Sequence, residues 1–309
     1  MFTLLTFLLP LTTTAVPTCN LDPWVRPGEP ETWARDWQPY VARRLVKQQW
    51  HYVKGSTSLV FVHISKCAGT TVKRALTVAA KKMGLAAPYT LYRKTWRRFL
   101  HACEKGGDLC SRDFYVGTNT LGACDFIARK RCAYVTVLRD PVSRIVSSWR
   151  YFCSNGAENK KGWQRGWKRC EWNLTDWARL QPALATLELS TRQAPTLVTS
   201  AKNQSRDCPL LADGPAAERA PARAQAHLNA ALANIGVEGP VFALTVEQLA
   251  SGLRALSSAI ELPFITDGAK LNVNEGATDL ISEEIDDLRA HLKLDLSLYA
   301  AVRAQAAAW

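Results

Sequence analysis

The chain has no G-x-x-x-x-G-K-S/T run, which argues against an ATP- and Mg²⁺-dependent kinase of the Walker type. It has no C-x-x-C pair and no cluster of histidines to suggest zinc. Beyond the first 18 residues, no stretch reaches the ~20 apolar residues that cross a bilayer. Carboxylates are fewer than cations, and the net charge is +12. That excess suits a polyanionic ligand. A basic chain also suits DNA or RNA, but the secretory features below argue against nucleic acid.

With 309 residues and 47% hydrophobic content, the chain has enough material for a large core. Residues 1–18 carry an apolar core at Leu4–Leu11 followed by small residues, with no Lys or Arg ahead of it. They read as a cleaved secretory signal or a short signal anchor, with cleavage preferred. Nine cysteines and two N-x-S/T sequons, at Asn173 and Asn203, agree with an oxidising lumen. Cys103 with Cys110, Cys124 with Cys132 and Cys153 with Cys170 are the disulfide pairs considered. Residues 19–52, rich in Trp, Pro and Arg, read as a stem with a helix near 40–49. Residues 53–309 read as the main domain, with a Trp/Lys/Arg-rich insertion at about 153–225.

Two stretches carry the chemistry. Ser58–Ala75 reads SLVFVHISKCAGTTVKRA. Its run Leu59–Val62, continued by His63 and Ile64, has the pattern of a buried parallel strand. A short loop follows, and from Thr71 onward Val72, Ala75, Leu76 and Ala79 fall at helical spacing. A strand, a tight loop and a helix start make an anion site, because the first helical N–H groups lack internal partners. Lys66 adds a charge, Gly69 permits close approach, and Thr70 and Thr71 add hydroxyls. The small Cys67 suits a loop whose backbone faces a ligand. The second stretch, Cys132–Phe152, reads CAYVTVLRDPVSRIVSSWRYF. Ala133–Leu138 is another buried strand, Arg139 stands at its carboxyl end, and Pro141 suits a first helical turn. Ser147 follows Arg139 by eight residues, so the two are placed to flank one phosphate.

Together these stretches resemble the sulfotransferases that use 3′-phosphoadenosine 5′-phosphosulfate (PAPS), closest to the Golgi carbohydrate enzymes of the heparan sulfate 2-O and 6-O type. The first motif is Phe61-Val62-His63-Ile64-Ser65-Lys66-Cys67-Ala68-Gly69-Thr70-Thr71; the family usually has Pro at the place of Ser65 and often Thr or Gly at that of Cys67. The second is Leu138-Arg139-Asp140-Pro141 with Arg144, Ser147 and Ser148. The tail from Asp295 to Leu298 and Tyr299 is similar to the family's D-x-x-L-Y helix, and Lys270–Asn274 to the turn before it.

The resemblance implies a P-loop NTPase-like α/β fold, a central parallel sheet flanked by helices. It implies PAPS as co-substrate and a carbohydrate hydroxyl as acceptor, with no metal. Lys66, Cys67, Ala68, Gly69, Thr70 and Thr71 would hold the 5′-phosphosulfate, Lys66 would also be catalytic, and Arg139 with Ser147 would hold the 3′-phosphate. It implies residence in the Golgi, and secretion if the N-terminal segment is cleaved. One departure stands out: where the glycan enzymes carry Gly-His with a proposed catalytic base, this chain has Gly117-Thr118. Asp125, His63 and His101 are the alternatives for the base. A binding protein on the same fold, without turnover, is the other function this departure keeps open. Two basic, aromatic stretches are candidate acceptor contacts: Tyr92–Phe99, and Lys160–Trp177.

Overall fold

The computed structural model describes residues 52–92, 95–118, 120–127, 131–151, 173–179, 183–190, 221–235, 239, 241–259, 262 and 280–307. The N-terminal segment, the stem up to residue 51, the Cys153–Cys170 pair, the second sequon and the Lys270–Asn274 turn lie outside them. So does most of the insertion.

The elements run in the order β1 (Thr57–Val62), α1 (Gly69–Lys82), β2 (Tyr89–Leu91), α2 (Trp96–Glu104), β3 (Phe114–Gly117), β4 (Arg131–Leu138) and α3 (Pro141–Trp149). Then come α4 (Leu174–Arg179), α5 (Leu184–Ser190), α6 (Pro221–Ile235), β5 (Val241–Thr245), α7 (Leu249–Ala259), α8 (Ser282–His291) and α9 (Lys293–Ala307). The five strands form one parallel sheet in the order β2-β3-β1-β4-β5. This is the α/β architecture that the sequence implied.

Both faces of the sheet are covered, which is why its strands read as continuous apolar runs rather than alternating ones. Side chains still alternate between faces. Leu59 and Phe61 of β1 pack with Val72, Leu76 and Ala80 of α1 and with Leu249, Leu253 and Leu256 of α7. Val60 and Val62 face the other way, into a cluster with Trp96 and Phe99 of α2, Leu228 and Ala231 of α6, and Leu298 and Val302 of α9. Trp96 and Phe99 are wholly buried, with rings 5.3 Å apart, so they belong to the core and not to an acceptor surface. Trp177 is likewise buried, its Nε1 donating to Ser148 Oγ at 3.1 Å. Arg97 and Arg98 occupy the exposed side of α2.

Three boundaries moved. Helix α1 begins at Gly69, two residues ahead of Thr71, so both threonines fall in its first turn. The described residues of α6, Pro221–Ile235, take in part of the Ala/Pro/Arg-rich stretch 212–226 that the sequence reads as an exposed excursion. Its alanines favour helix. The tail is two helices, α8 and α9, interrupted at the buried Leu292. The disulfides Cys103–Cys110 and Cys124–Cys132 are both formed.

Candidate active site

The order of the strands locates a crevice. After β1 the chain moves toward β2 on one side of the sheet; after β4 it moves toward β5 on the other. Turns that diverge from neighbouring strands leave a gap between them at the carboxyl ends, where open α/β sheets bind ligands. The two turns at this gap are 63–68 and 139–140, the two stretches singled out in the sequence.

The first turn is shaped by its backbone. Lys66 and Ala68 both have left-handed backbone angles, with φ of 67° and 55°. Each costs roughly 1–2 kcal/mol for a residue other than glycine. Such residues in a loop turn successive N–H groups toward one concavity, a nest that suits an anion. Ala68 is the N-cap of α1 and has no side chain to cap it; Cys67 N–H already donates to Ile64 O, and Thr71 and Val72 N–H to Ala68 O, which leaves the N–H groups of Gly69 and Thr70 to face a ligand. Gly69 is required for another reason. A Cβ built there would fall inside the His63 imidazole, which lies over the start of α1.

The second turn is held by side chains. Asp140 caps α3, its Oδ1 accepting from Ser143 N at 2.8 Å, and Pro141 fills the first helical position. This fixes Arg139 at the mouth of the gap. Arg139 stands close enough to Lys66 to lower its proton affinity, second only to burial. The Lys66 ammonium rests over the ring of Tyr151, 3.8 Å from its centroid.

Cys67 joins the two turns from below. Its thiol is buried, donates to Ser65 O at 3.8 Å and accepts from the backbone N–H of Arg139. Burial pushes it up to about 12, so it stays a neutral thiol. That agrees with a structural part in the loop.

Ser147 is buried on α3, about 9 Å along the helix from Pro141 at 1.5 Å per residue. Its neighbour Ser148 is engaged by Trp177. Arg144, in the same motif, turns inward instead and pairs with Asp295 of α9 at 3.6 Å, both fully buried. Asp295 also accepts from Ala185 N at 3.1 Å and from Thr186 N and Oγ1, each at 2.8 Å. It therefore caps α5 and ties α3, α5 and α9 together. Burial raises the proton affinity of Asp295, and Arg144 with the three donors opposes that. The sequence marked both residues as motif positions but did not show that they meet. Tyr299, four residues on, bonds to Glu247 beyond β5 and lies near Asp140. The tail helix thus backs the second turn.

Two of the three base alternatives are in the wrong place. Asp125 follows Cys124, whose disulfide partner Cys132 is paired with Ser58 at the start of β1. Five strand residues, roughly 16 Å, separate that end from His63. His101 lies near the end of α2, which runs back from the carboxyl end of β2 toward the start of β3, and is exposed beside Glu104 at 3.8 Å. Only His63 stands at the gap. Its backbone N–H donates to Gly117 O at 2.8 Å, so it lies directly beside the Gly117-Thr118 departure. Gly117 itself is dictated by packing, since a Cβ there would strike the carbonyl of Leu91 on β2.

Residues 51–193 match the family model described as Sulfotransferase family. The match spans both turns and supports a sulfotransferase-family domain, with sulfuryl transfer as its general chemistry. It ends before β5 and the tail helices. No curated protein matches the chain.

Proposed function

We propose that this protein moves the sulfuryl group of PAPS to a hydroxyl of an anionic carbohydrate, releasing adenosine 3′,5′-bisphosphate. The observation that carries this reading is the pairing of turns at one gap. A side-chain-uncapped helix start with left-handed Lys66 and Ala68 faces a cation, Arg139, whose charge already presses on Lys66. Two cations crowded at a backbone nest suit a ligand with several negative charges.

PAPS supplies an activated sulfuryl group and two phosphate positions. Within the Cys67–Thr71 loop, the N–H groups of Gly69 and Thr70 and the hydroxyls of Thr70 and Thr71 would hold its 5′ end. Arg139 and Ser147 would hold the 3′-phosphate, which distinguishes this donor from ATP. Lys66 would leave the Tyr151 ring and stabilise charge on the leaving oxygen. In this scheme the protein positions the reactants and stabilises charge, without a metal.

The carbohydrate acceptor is favoured by the resemblance to the glycan enzymes and by the net charge of +12. Residence in the secretory pathway, Golgi lumen or membrane, is favoured by the two disulfides among the described residues. Among the described residues no helix is long and apolar enough to cross a membrane, so an anchor would fall to the N-terminal segment. The second reading, a binding protein without turnover, rests on Thr118.

Transfer of labelled sulfate from PAPS to a panel of glycans, with the Lys66→Ala variant alongside, tests both. Lys66-dependent label on a glycan is the expected result. Tight binding of adenosine 3′,5′-bisphosphate with no label on any glycan would replace the enzyme with the binding protein.

A further inference from the structure

Taking the sulfuryl transfer proposed above as the reaction, we infer that the His63 imidazole is the catalytic group that takes the acceptor hydroxyl's proton. The position comes first. His63 follows β1 directly, and its Nε2 edge lies over Gly69, the first residue of α1. The ring therefore borders the same helix start that forms the nest. Its backbone bond to Gly117 sets it beside Thr118, whose hydroxyl does not titrate near neutral pH. An imidazole reaching in from the neighbouring strand replaces what Thr118 lacks. Asp125 and His101, the other groups considered, sit toward the opposite end of the sheet.

The surroundings keep this imidazole in the form a base needs. Burial, Lys73 of α1 and Lys66 of the loop lower His63 to about 4, so it is neutral at physiological pH with a lone pair available. The uncharged Phe61 ring stacks on it 5.7 Å away. Lys73 is also drawn aside, its Nζ bonding to Thr90 Oγ1 at 3.3 Å. A base depressed so far accepts a proton weakly. Bound donor changes that, because its negative charge offsets Lys66 and Lys73 and raises the proton affinity of the ring. The base gains strength when the donor is in place.

The step balances as follows. The acceptor O–H proton passes to His63 Nε2, and the freed electron pair of that oxygen forms the new S–O bond. The bond from sulfur to the bridging oxygen of PAPS breaks, and its pair stays on the 5′-phosphate oxygen beside Lys66.

The test uses the full chain with His63→Gln and His63→Ala. Both should lose about 10²–10⁴ in kcat, while affinity for adenosine 3′,5′-bisphosphate stays within about threefold. The acid limb of the pH–rate profile should vanish in both variants, and added imidazole should restore part of the His63→Ala activity. In the wild type, the NMR titration midpoint of His63 should rise by a unit or more when adenosine 3′,5′-bisphosphate binds; an unchanged midpoint would remove the donor effect. Activity retained in both variants, with the same acid limb, would overturn the assignment. So would loss of activity in step with loss of nucleotide affinity and without imidazole rescue. Wild-type protein that transfers to no acceptor would sink the reaction and the His63 role together, whereas wild-type transfer that survives both substitutions sinks the His63 role alone.

Discussion

The turn from β1 into α1 leaves its helix start without a side-chain cap, whereas the turn from β4 into α3 closes its own with Asp140 and Pro141. Both follow central strands of one sheet, and both open at the same gap. The first uses backbone: left-handed Lys66 and Ala68 aim N–H groups inward at a cost in strain. The second uses side chains: its backbone is satisfied internally, and what it offers is the Arg139 guanidinium. A backbone nest recognises negative charge at close range but is indifferent to what bears it. A guanidinium placed by a rigid cap reads a phosphate at one defined distance. Under the proposed function this becomes a division of labour, with transfer at the first turn and donor identity at the second.

The sharpest way to break this comparison is Lys66→Gly. Glycine adopts the left-handed backbone freely, so the nest keeps its shape and only the charge is lost. Transfer should fall by about 10³, with thermal stability unchanged or slightly higher. Retained transfer would show that the backbone suffices and remove Lys66 from the chemistry. Next in size is Arg139→Ala, read by calorimetry. Affinity for adenosine 3′,5′-bisphosphate should drop ~10–100-fold, and affinity for adenosine 5′-monophosphate should change by no more than about threefold. Equal losses would mean that the second turn does not single out the 3′-phosphate. The smallest effect is expected from Asp140→Ala. It uncaps α3 at a cost of about 1 kcal/mol in unfolding free energy and, by loosening the placement of Arg139, weakens nucleotide binding by less than Arg139→Ala does. Loss of binding without loss of stability would show that Asp140 serves the site itself.

Much of the fold was legible in the chain. Strands β1 and β4 stood out as the apolar runs Leu59–Val62 and Ala133–Leu138 because both faces of the sheet are buried. Pro141 marked the start of α3, and Gly69 with the threonines marked the loop. The start of α1 was missed by two residues, because glycine and threonine are weak helix formers and only the anchored loop holds them there. The acceptor contacts were harder. Trp96, Phe99 and Trp177 lie among basic residues and look like a sugar-binding surface, yet all three are core. A helix alternates buried and exposed faces every few residues, so aromatic and basic side chains that are neighbours in the chain point opposite ways.

The sequence alone determined the parts whose causes are local. Backbone sterics, helix starts and side-chain periodicity act over a few residues, and they set the two turns and the apolar strands that precede them. Tertiary structure decided the rest. It joined Arg144 to Asp295 across 151 positions of chain, and it brought α9 behind the second turn. It also sorted the base alternatives: Asp125 lies closer in sequence to Arg139 than His63 does, yet the parallel connection from β3 to β4 returns it to the far end of the sheet. A parallel sheet gathers the carboxyl ends of its strands on one side whatever their separation in the chain. That geometry, which no local pattern encodes, sets His63, Lys66 and Arg139 around one gap.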